Sequence, residues 1–310
     1  MRKNDQADGF VFPTLACSPN MRDRTRDDYE ARIWRVQRHI QDHLGEPLPL
    51  EQLAAVANFS PFHFHRLFRA MVGESVQDYV SRLRLELSAS ALVNSQRPIV
   101  DIAFAAGYEA HESFTRAFRR RFGASPKSYR ESRGALGQPF ELPVTGPHLQ
   151  PPERNHPVNV EIRNLPARRV AFVRHVGPYQ DCGQAWARLC SSPRVARFFG
   201  PKPQMFGICY DDPDVTDAAK IRYDACLVVD GRFVPGDGVD VQDIAGGDYA
   251  VHLHVGPYEN LHATYRRLYG EWLPSSGREV RSAPSLEVYL DDPKTTPPAK
   301  LRTEVCVPLL

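Results

Sequence analysis

The sequence predicts two folded parts in series, an all-α part followed by an α+β part. Three observations carry that prediction. Each half holds its own internal repeat, the two repeats have different spacings, and a stretch dense in proline and glycine separates them. At 310 residues the chain is long enough for two domains that each bury a core.

In the first half, Leu53-Ala-Ala-Val-Ala-Asn-Phe59 matches Ile102-Ala-Phe-Ala-Ala-Gly-Tyr108 forty-nine positions on. Phe64-His-Arg-Leu-Phe-Arg69 then matches Phe114-Thr-Arg-Ala-Phe-Arg119 at an offset of fifty, as do Gly73 and Gly123, Ser75 and Ser125, Tyr79 and Tyr129. Phe114, Phe118 and Phe122 recur every fourth residue and share one side of a helix, with His111, Glu112, Thr115, Arg116 and Arg119 on the other. A short apolar helix from Ile99 to Ala106, a turn at Gly107 and this second helix make a helix-turn-helix, and the repeat makes a second one. Before them, Ile33, Val36, Ile40 and Leu44 mark an opening helix that Gly45 and Pro47 close. Leu50 to Ala57 is the next helix, and Ser60-Pro61 starts the first recognition helix, which runs to about Val72. Val80, Leu83, Leu87 and Leu92 trace a long connecting helix from Val76 to Leu92, whose length sets the spacing of the two reading heads.

Over roughly Tyr29 to Arg130 these residues resemble the AraC/XylS family, with GYEAHESFTRAFRRRFGASPKSYR the most specific piece. The resemblance implies a transcription factor in which one chain places two recognition helices in successive major grooves. It assigns Phe62, His65 and Arg66 to the base-facing positions of the first helix, and His111, Glu112, Thr115 and Arg116 to those of the second. Arginine can pair with guanine O6 and N7, and an aromatic ring can meet a thymine methyl. Glu112 departs from the family pattern, because a carboxylate repels phosphate although it can accept from cytosine N4. Arg119, Arg120, Lys127 and Arg130 are expected at phosphates, in a basic cluster whose one acid is Glu131.

Net charge is only +2, which excludes a general nucleic-acid coat. The six cysteines are scattered without a C-x-x-C pair, so neither a disulfide frame nor a thiolate metal site is expected. His63/His65 and His252/His254 lack further ligands at metal spacing. No membrane helix or signal peptide is expected, and the cytoplasm is the expected location. Residues 1–26 read as a disordered extension in which Met21 is an alternative start, 27–132 as the DNA-binding domain, 133–157 as a linker and 158–310 as the second domain.

In that second domain His175-Val-Gly-Pro-Tyr179 recurs as His254-Val-Gly-Pro-Tyr258, and Asp211-Asp-Pro213 with Ala219 to Cys226 recurs as Asp291-Asp-Pro293 with Ala299 to Cys306. Each copy reads strand, helix, strand, strand, and two copies can form one antiparallel sheet with both helices on one face and a concave face opposite. The region resembles the GyrI-like effector-binding domain, and the order of the two domains resembles the Rob-type arrangement. Those resemblances imply a small, hydrophobic or cationic effector. Partners expected on this basis are double-stranded DNA, the effector and RNA polymerase, with no cofactor.

Alternation along Ser285-Leu-Glu-Val-Tyr-Leu290 sends Glu287 and Tyr289 to one face and Leu286, Val288 and Leu290 to the other, the latter expected under the helices. Gly207 occupies the equivalent place in the first copy. Glu287 with Tyr289, Tyr179, Tyr258, and Trp186 or Trp272, is therefore the expected effector site, by charge pairing and cation–π attraction. An alternative pairs Glu287 with Arg302. The chain is not expected to be an enzyme. The competing functions are a GyrI-like small-molecule hydrolase, and a C-terminal domain that binds another protein.

Overall fold

The computed structural model describes residues 21–134, 158–200, 203–213 and 216–310, so most of the proline-rich linker and residues 1–20 lie outside the described residues. Among the described residues the N-terminal half has seven helices, α1 (Met21–Asp42), α2 (Leu50–Val56), α3 (Pro61–Val72), α4 (Val76–Asn94), α5 (Ile99–Ala105), α6 (His111–Phe122) and α7 (Pro126–Gly134). Helix α1 begins at Met21, so residues 21–26, assigned by sequence to the extension, are helical. It buries Tyr29, Ile33, Val36 and Ile40, a stripe at helical spacing. The two helix-turn-helix turns are built alike. Asn58 (φ 56°) and Gly107 (φ 75°) take the left-handed conformation at repeat-equivalent positions, a place where glycine or asparagine costs least. Gly73 and Gly123 close α3 and α6 with left-handed caps that donate to the carbonyls of Arg69 and Arg119.

The long helix α4 is fixed at both ends. Ser75 accepts the Asp78 backbone N–H at 3.0 Å, a cap that stabilises by about 1 kcal/mol. Arg84 donates to the carbonyls of Leu44 and Glu46, holding α4 against the loop after α1. Buried Glu86 receives Arg82 from its own helix and Arg121 from α6 at 3.1 Å, which fixes the second recognition helix on the connecting helix. Arg130 donates to the carbonyls of Leu92 and Arg97, so it ties α7 to the end of α4.

The C-terminal half is one eight-stranded antiparallel sheet of β1 (Glu161–Leu165), β2 (Arg168–Val176), β3 (Met205–Cys209), β4 (Arg222–Val229), β5 (Asp240–Ile244), β6 (Gly247–Val255), β7 (Ser285–Tyr289) and β8 (Arg302–Pro308), in the order β1-β6-β8-β7-β3-β4-β2-β5. Helix α8 (Gly183–Ser191) belongs to the first repeat. Helix α9 (Leu261–Arg267), continued by a π-helical turn Leu268–Trp272 and a short α10 (Leu273–Ser275), belongs to the second. The sequence anticipates three strands per copy, and the structure has four. The added strands are exchanged, with β1 of the first copy pairing with β6 of the second and β5 of the second pairing with β2 of the first. Both are five-residue edge strands with mostly part-exposed side chains, so they carry little apolar alternation.

Both helices cover one face of the sheet. Ala185 and Leu189 of α8 pack on Ala171, Val173, Ala225 and Leu227, while Leu261, Tyr265 and Leu268 pack on Ala250, Val305 and Val307. The other face is filled by the curled sheet's own side chains, among them Val170, Phe206, Ile208, Val251 and Leu286. Here one sequence expectation is corrected. Glu287 and Tyr289 do share a face, but it is the helix-covered face, and Leu286 and Val288 belong to the core behind it. Alternation shows which residues face together and leaves open which side the helices take.

The two halves share a core. Tyr29, Ile33, Phe64, Leu67 and Phe68 of the first helix-turn-helix form one buried cluster with Leu261, Tyr265, Leu268 and Tyr269 of the second repeat. The second helix-turn-helix keeps its own cluster around Phe114, Phe118 and Tyr129. No described helix is long and apolar enough to cross a membrane.

Candidate nucleic-acid interface and effector site

The two recognition helices have different surroundings. On α6, Phe114 and Phe118 turn inward, while His111, Glu112, Arg116, Arg119 and Arg120 are exposed and Thr115 is half-buried. Thr115 Oγ1 lies 3.4 Å from His111 Nε2, one helical turn away. Lys127 is exposed on α7 and lies 4.0 Å from Glu131. On α3, Phe62 and Arg66 are half-buried and His65 is buried. The cover on α3 is the C-terminal domain. Arg66 stacks its guanidinium 4.0 Å from the centroid of the Tyr265 ring, and its Nη2 lies 3.4 Å from the carbonyl of Asp211. His65 Nε2 lies 3.5 Å from Asp212 Oδ2. Adjacent His63 meets the Tyr269 hydroxyl at 2.7 Å and the Arg281 carbonyl at 2.9 Å. Burial drives His63 down to about 3, and burial together with the Arg66 charge drives His65 down to about 4, so both rings are neutral at neutral pH.

Glu287 is buried at the centre of the sheet, where β7 pairs with β3 and Glu287 faces Gly207 across the ladder. Its two carboxylate oxygens accept from the Tyr265 hydroxyl at 3.0 Å and the Tyr289 hydroxyl at 2.9 Å. Burial first, and the neighbouring Glu287 charge as well, hold both phenols well above their ordinary range, so they remain donors at any physiological pH. Burial and Glu287 likewise push the Cys209 thiol up, and Arg66 pulls it the other way. No ion pair to Glu287 forms among the described residues. Arg302, the alternative partner, binds Asp291 at 2.7 Å, as Arg222 binds Asp211 at 2.8 Å in the first repeat. A buried carboxylate held by two hydroxyls and the Cys209 thiol, all neutral donors, is an incompletely compensated charge that costs several kcal/mol, and a cation placed beside it recovers part of that.

Around the carboxylate the structure gathers aromatic rings. Trp186 and Tyr258 stand edge-on to Tyr289 with centroids 5.6 and 5.4 Å away, and Tyr179 stands edge-on to Tyr223 at 5.9 Å. Tyr223 shares hydrogen bonds with Tyr289 at 2.9 Å and with the Trp186 ring N–H at 3.0 Å. Gly207 is what admits Tyr223, because a Cβ there would stand 2.4 Å from the Tyr223 hydroxyl oxygen. Trp272 is not brought to Glu287. It lines a separate apolar crevice with Leu268, Tyr269, Leu273 and Val307. The sequence reading missed Tyr223, Tyr265, Tyr269 and Cys209. The signal for Tyr265 was available, since His254 follows His175 by 79 positions and the residue 79 beyond Trp186 is Tyr265. His175 and His254 are turn-closing groups: His175 Nε2 meets the Pro178 carbonyl at 2.9 Å, and His254 Nε2 the Pro257 carbonyl at 3.2 Å.

Comparison with known proteins identifies both domains. Residues 53–132 match a helix-turn-helix domain family, and residues 158–310 match the GyrI-like small molecule binding domain. Regulatory protein SoxS of Escherichia coli (strain K12) is 36% identical over 91 residues, which make up 29% of this chain and 85% of that protein. The chain belongs to the AraC-type transcription regulators and carries a GyrI-like domain. The similarity of this AraC-type regulator to the Right origin-binding protein of Escherichia coli (strain K12) runs through both domains, at 27% identity over 289 residues, covering 87% of this chain and 95% of that protein. That extent establishes the Rob-type order, DNA-binding module first and GyrI-like domain last. Among solved structures, the C-terminal domain of AraT, a response regulator from Geobacillus stearothermophilus, is 32% identical and covers 33% of this chain and 85% of that one, with a TM-score of 0.32.

Proposed function

We propose that this AraC-type regulator reads an asymmetric DNA site as a monomer and answers to a hydrophobic organic cation bound at Glu287. The observation that carries the second half is Glu287 itself: a buried carboxylate that accepts from two phenols, sits inside a ring of aromatics and has no ionic partner among the described residues. Charge pairing and cation–π attraction select a cation there, and the rings select an apolar body. The first half rests on two recognition helices in one chain, joined by the anchored α4. We assign base contacts to Phe62, His65 and Arg66 on α3 and to His111, Thr115 and Arg116 on α6, with Glu112 reading a cytosine amine. Arg119, Arg120 and Lys127 are assigned to phosphates. The site is read as one of binding, so a compound incubated with the protein should be recovered unchanged by mass spectrometry. A thermal-shift titration tests the effector reading with tetraphenylphosphonium as cation and triphenylphosphine oxide as a neutral body of related shape. Wild type should be stabilised by the cation, and Glu287→Gln should lose that response while keeping its fold. Equal stabilisation of both proteins by the cation would overturn the reading.

A further inference from the structure

The base-reading surface of the first recognition helix and the aromatic wall of the Glu287 site are in contact, and the contact is made by Arg66. Tyr265 is shared between them, with its hydroxyl on Glu287 and its ring face under the Arg66 guanidinium. Tyr269, the next ring along, stacks partly on Tyr265 and lies 6.0 Å from Arg66 by its centroid. Around this contact the same face of α3 is closed off: His63 by Tyr269 and the Arg281 carbonyl, His65 by Asp212. Ala70 packs so tightly against Gly270 that a Cβ on Gly270 would stand 3.0 Å from the Ala70 Cβ. On the α1 side, the Tyr29 hydroxyl donates to the Arg278 carbonyl and Arg32 pairs with Glu279 at 3.1 Å. Double-stranded DNA needs His65 and Arg66 on an open face, and here that face is covered by carboxylates and carbonyls of the sensor domain. Helix α6 is open in the same structure.

We propose that Arg66 is the resident cation of the effector site, so that a cationic effector and the first recognition helix compete for the Tyr265 wall and effector binding releases α3 to DNA. The proposal rests on the reading of Glu287 as the effector carboxylate and of α3 as a base-reading helix. Arg66 is suited to be displaced. Among the described residues no carboxylate pairs with it at ion-pair distance, the Asp212 charge acts on it only from farther off, and its close contacts are ring faces and one carbonyl at 3.4 Å. An effector with its own charge and its own apolar body can take the ring face and also compensate Glu287 more directly than Arg66, which reaches that carboxylate only through Tyr265. Mutually exclusive occupancy supplies the differential affinity that any ligand-driven shift requires. In this arrangement the sensor domain acts as a cap on one reading head and leaves the other free, so the uncapped α6 alone would hold DNA weakly.

The full-length chain with Ala70→Cys and Gly270→Cys tests this reversibly, since the two Cβ positions reach disulfide spacing once the helices part by about half an ångström. Affinity is read by fluorescence anisotropy, with and without tetraphenylphosphonium, on a duplex enriched from a random pool by the wild-type chain in the presence of tetraphenylphosphonium. The oxidised protein should bind at least tenfold more weakly than the same protein reduced, and the cation should improve only the reduced form. An oxidised, cross-linked protein that binds as tightly as the reduced one and still responds to the cation would overturn the proposal. If the cross-link does not form, Gly270→Leu serves, because its side chain must wedge the domains apart. That variant should bind at least tenfold tighter than wild type without the cation and gain less than twofold from it. A folded Gly270→Leu protein with wild-type affinity and an undiminished response would equally overturn the proposal. The thermal-shift comparison of wild type with Glu287→Gln reads the effector site without DNA, so its failure and the failure of the coupling are told apart.

Discussion

Acid should undock the first recognition helix, and the magnitude follows from two histidines. His63 and His65 are buried between the domains and are depressed to about 3 and about 4, whereas a histidine released to water titrates near 6.5. The groups that face His63 are the Tyr269 hydroxyl, the backbone of Arg281 and Ala283, and the charges of Arg66 and His65. Those that face His65 are Arg66, the Pro61 carbonyl, Asp212 and Asp211; burial and Arg66 outweigh the two acids. Both values are lower docked than free, so the separated state takes up more protons. Docking is therefore at full strength above about pH 6.5 and weakens as pH falls toward 4. At pH 5.5 each ring favours the separated state by about 1.4 kcal/mol, and the two together by about 3 kcal/mol, roughly a hundredfold in the docking equilibrium. Energy transfer between one dye on exposed Arg35 of α1, replaced by cysteine, and a second on the sheet domain would follow the separation from pH 8 to 5.5. The expected result is a loss of transfer with a midpoint below pH 6.5 that disappears in His63→Gln/His65→Gln. Transfer that is flat over this range in the wild type would refute the assignment of both rings to a separable interface.

Further outcomes follow from the same contacts. Gly207→Ala forces the Tyr223 ring away from a Cβ otherwise set against its hydroxyl, so the unfolding free energy read by denaturant titration should fall by about 1–3 kcal/mol and cation binding should weaken. Arg116→Ala should relax preference at one base position at a cost of about 1–3 kcal/mol, read from affinities for single-base variants of the selected duplex. Arg120→Ala should instead weaken all duplexes alike and reduce the slope of log affinity against log salt by about one unit. Glu86→Gln removes the anchor shared by Arg82 and Arg121, and should loosen α6 enough to raise hydrogen exchange there while α3 is unchanged.

The helices were legible because the apolar positions of α1, α3, α4 and α6 follow helical spacing and the turn glycines Gly73, Gly107 and Gly123 sit where a left-handed residue is required. The repeat also showed where a charge stands in one copy and a glycine in the other, and the structure pairs those two residues across adjacent strands. The exchanged edge strands were not legible, since a short half-exposed strand such as Glu161–Leu165 has almost no pattern of its own. Nor was the side of the sheet on which Glu287 lies, which depends on how the helices pack and not on alternation. The docking of α3 was hidden for a different reason. His65 and Arg66 are residues of the kind that read bases, and nothing local distinguishes an arginine awaiting guanine from one stacked on Tyr265 in a distant part of the chain. Long-range contacts between domains leave no periodic trace.

Hydroxyl-radical footprinting of the wild-type chain on its selected duplex, without and with saturating tetraphenylphosphonium, tests the account most directly. Protection of one major-groove segment should extend to a second, about one helical turn away, when the cation is added, at one chain per duplex throughout. Two protected segments in the absence of the cation, or a footprint the cation leaves unchanged although it binds, would contradict it.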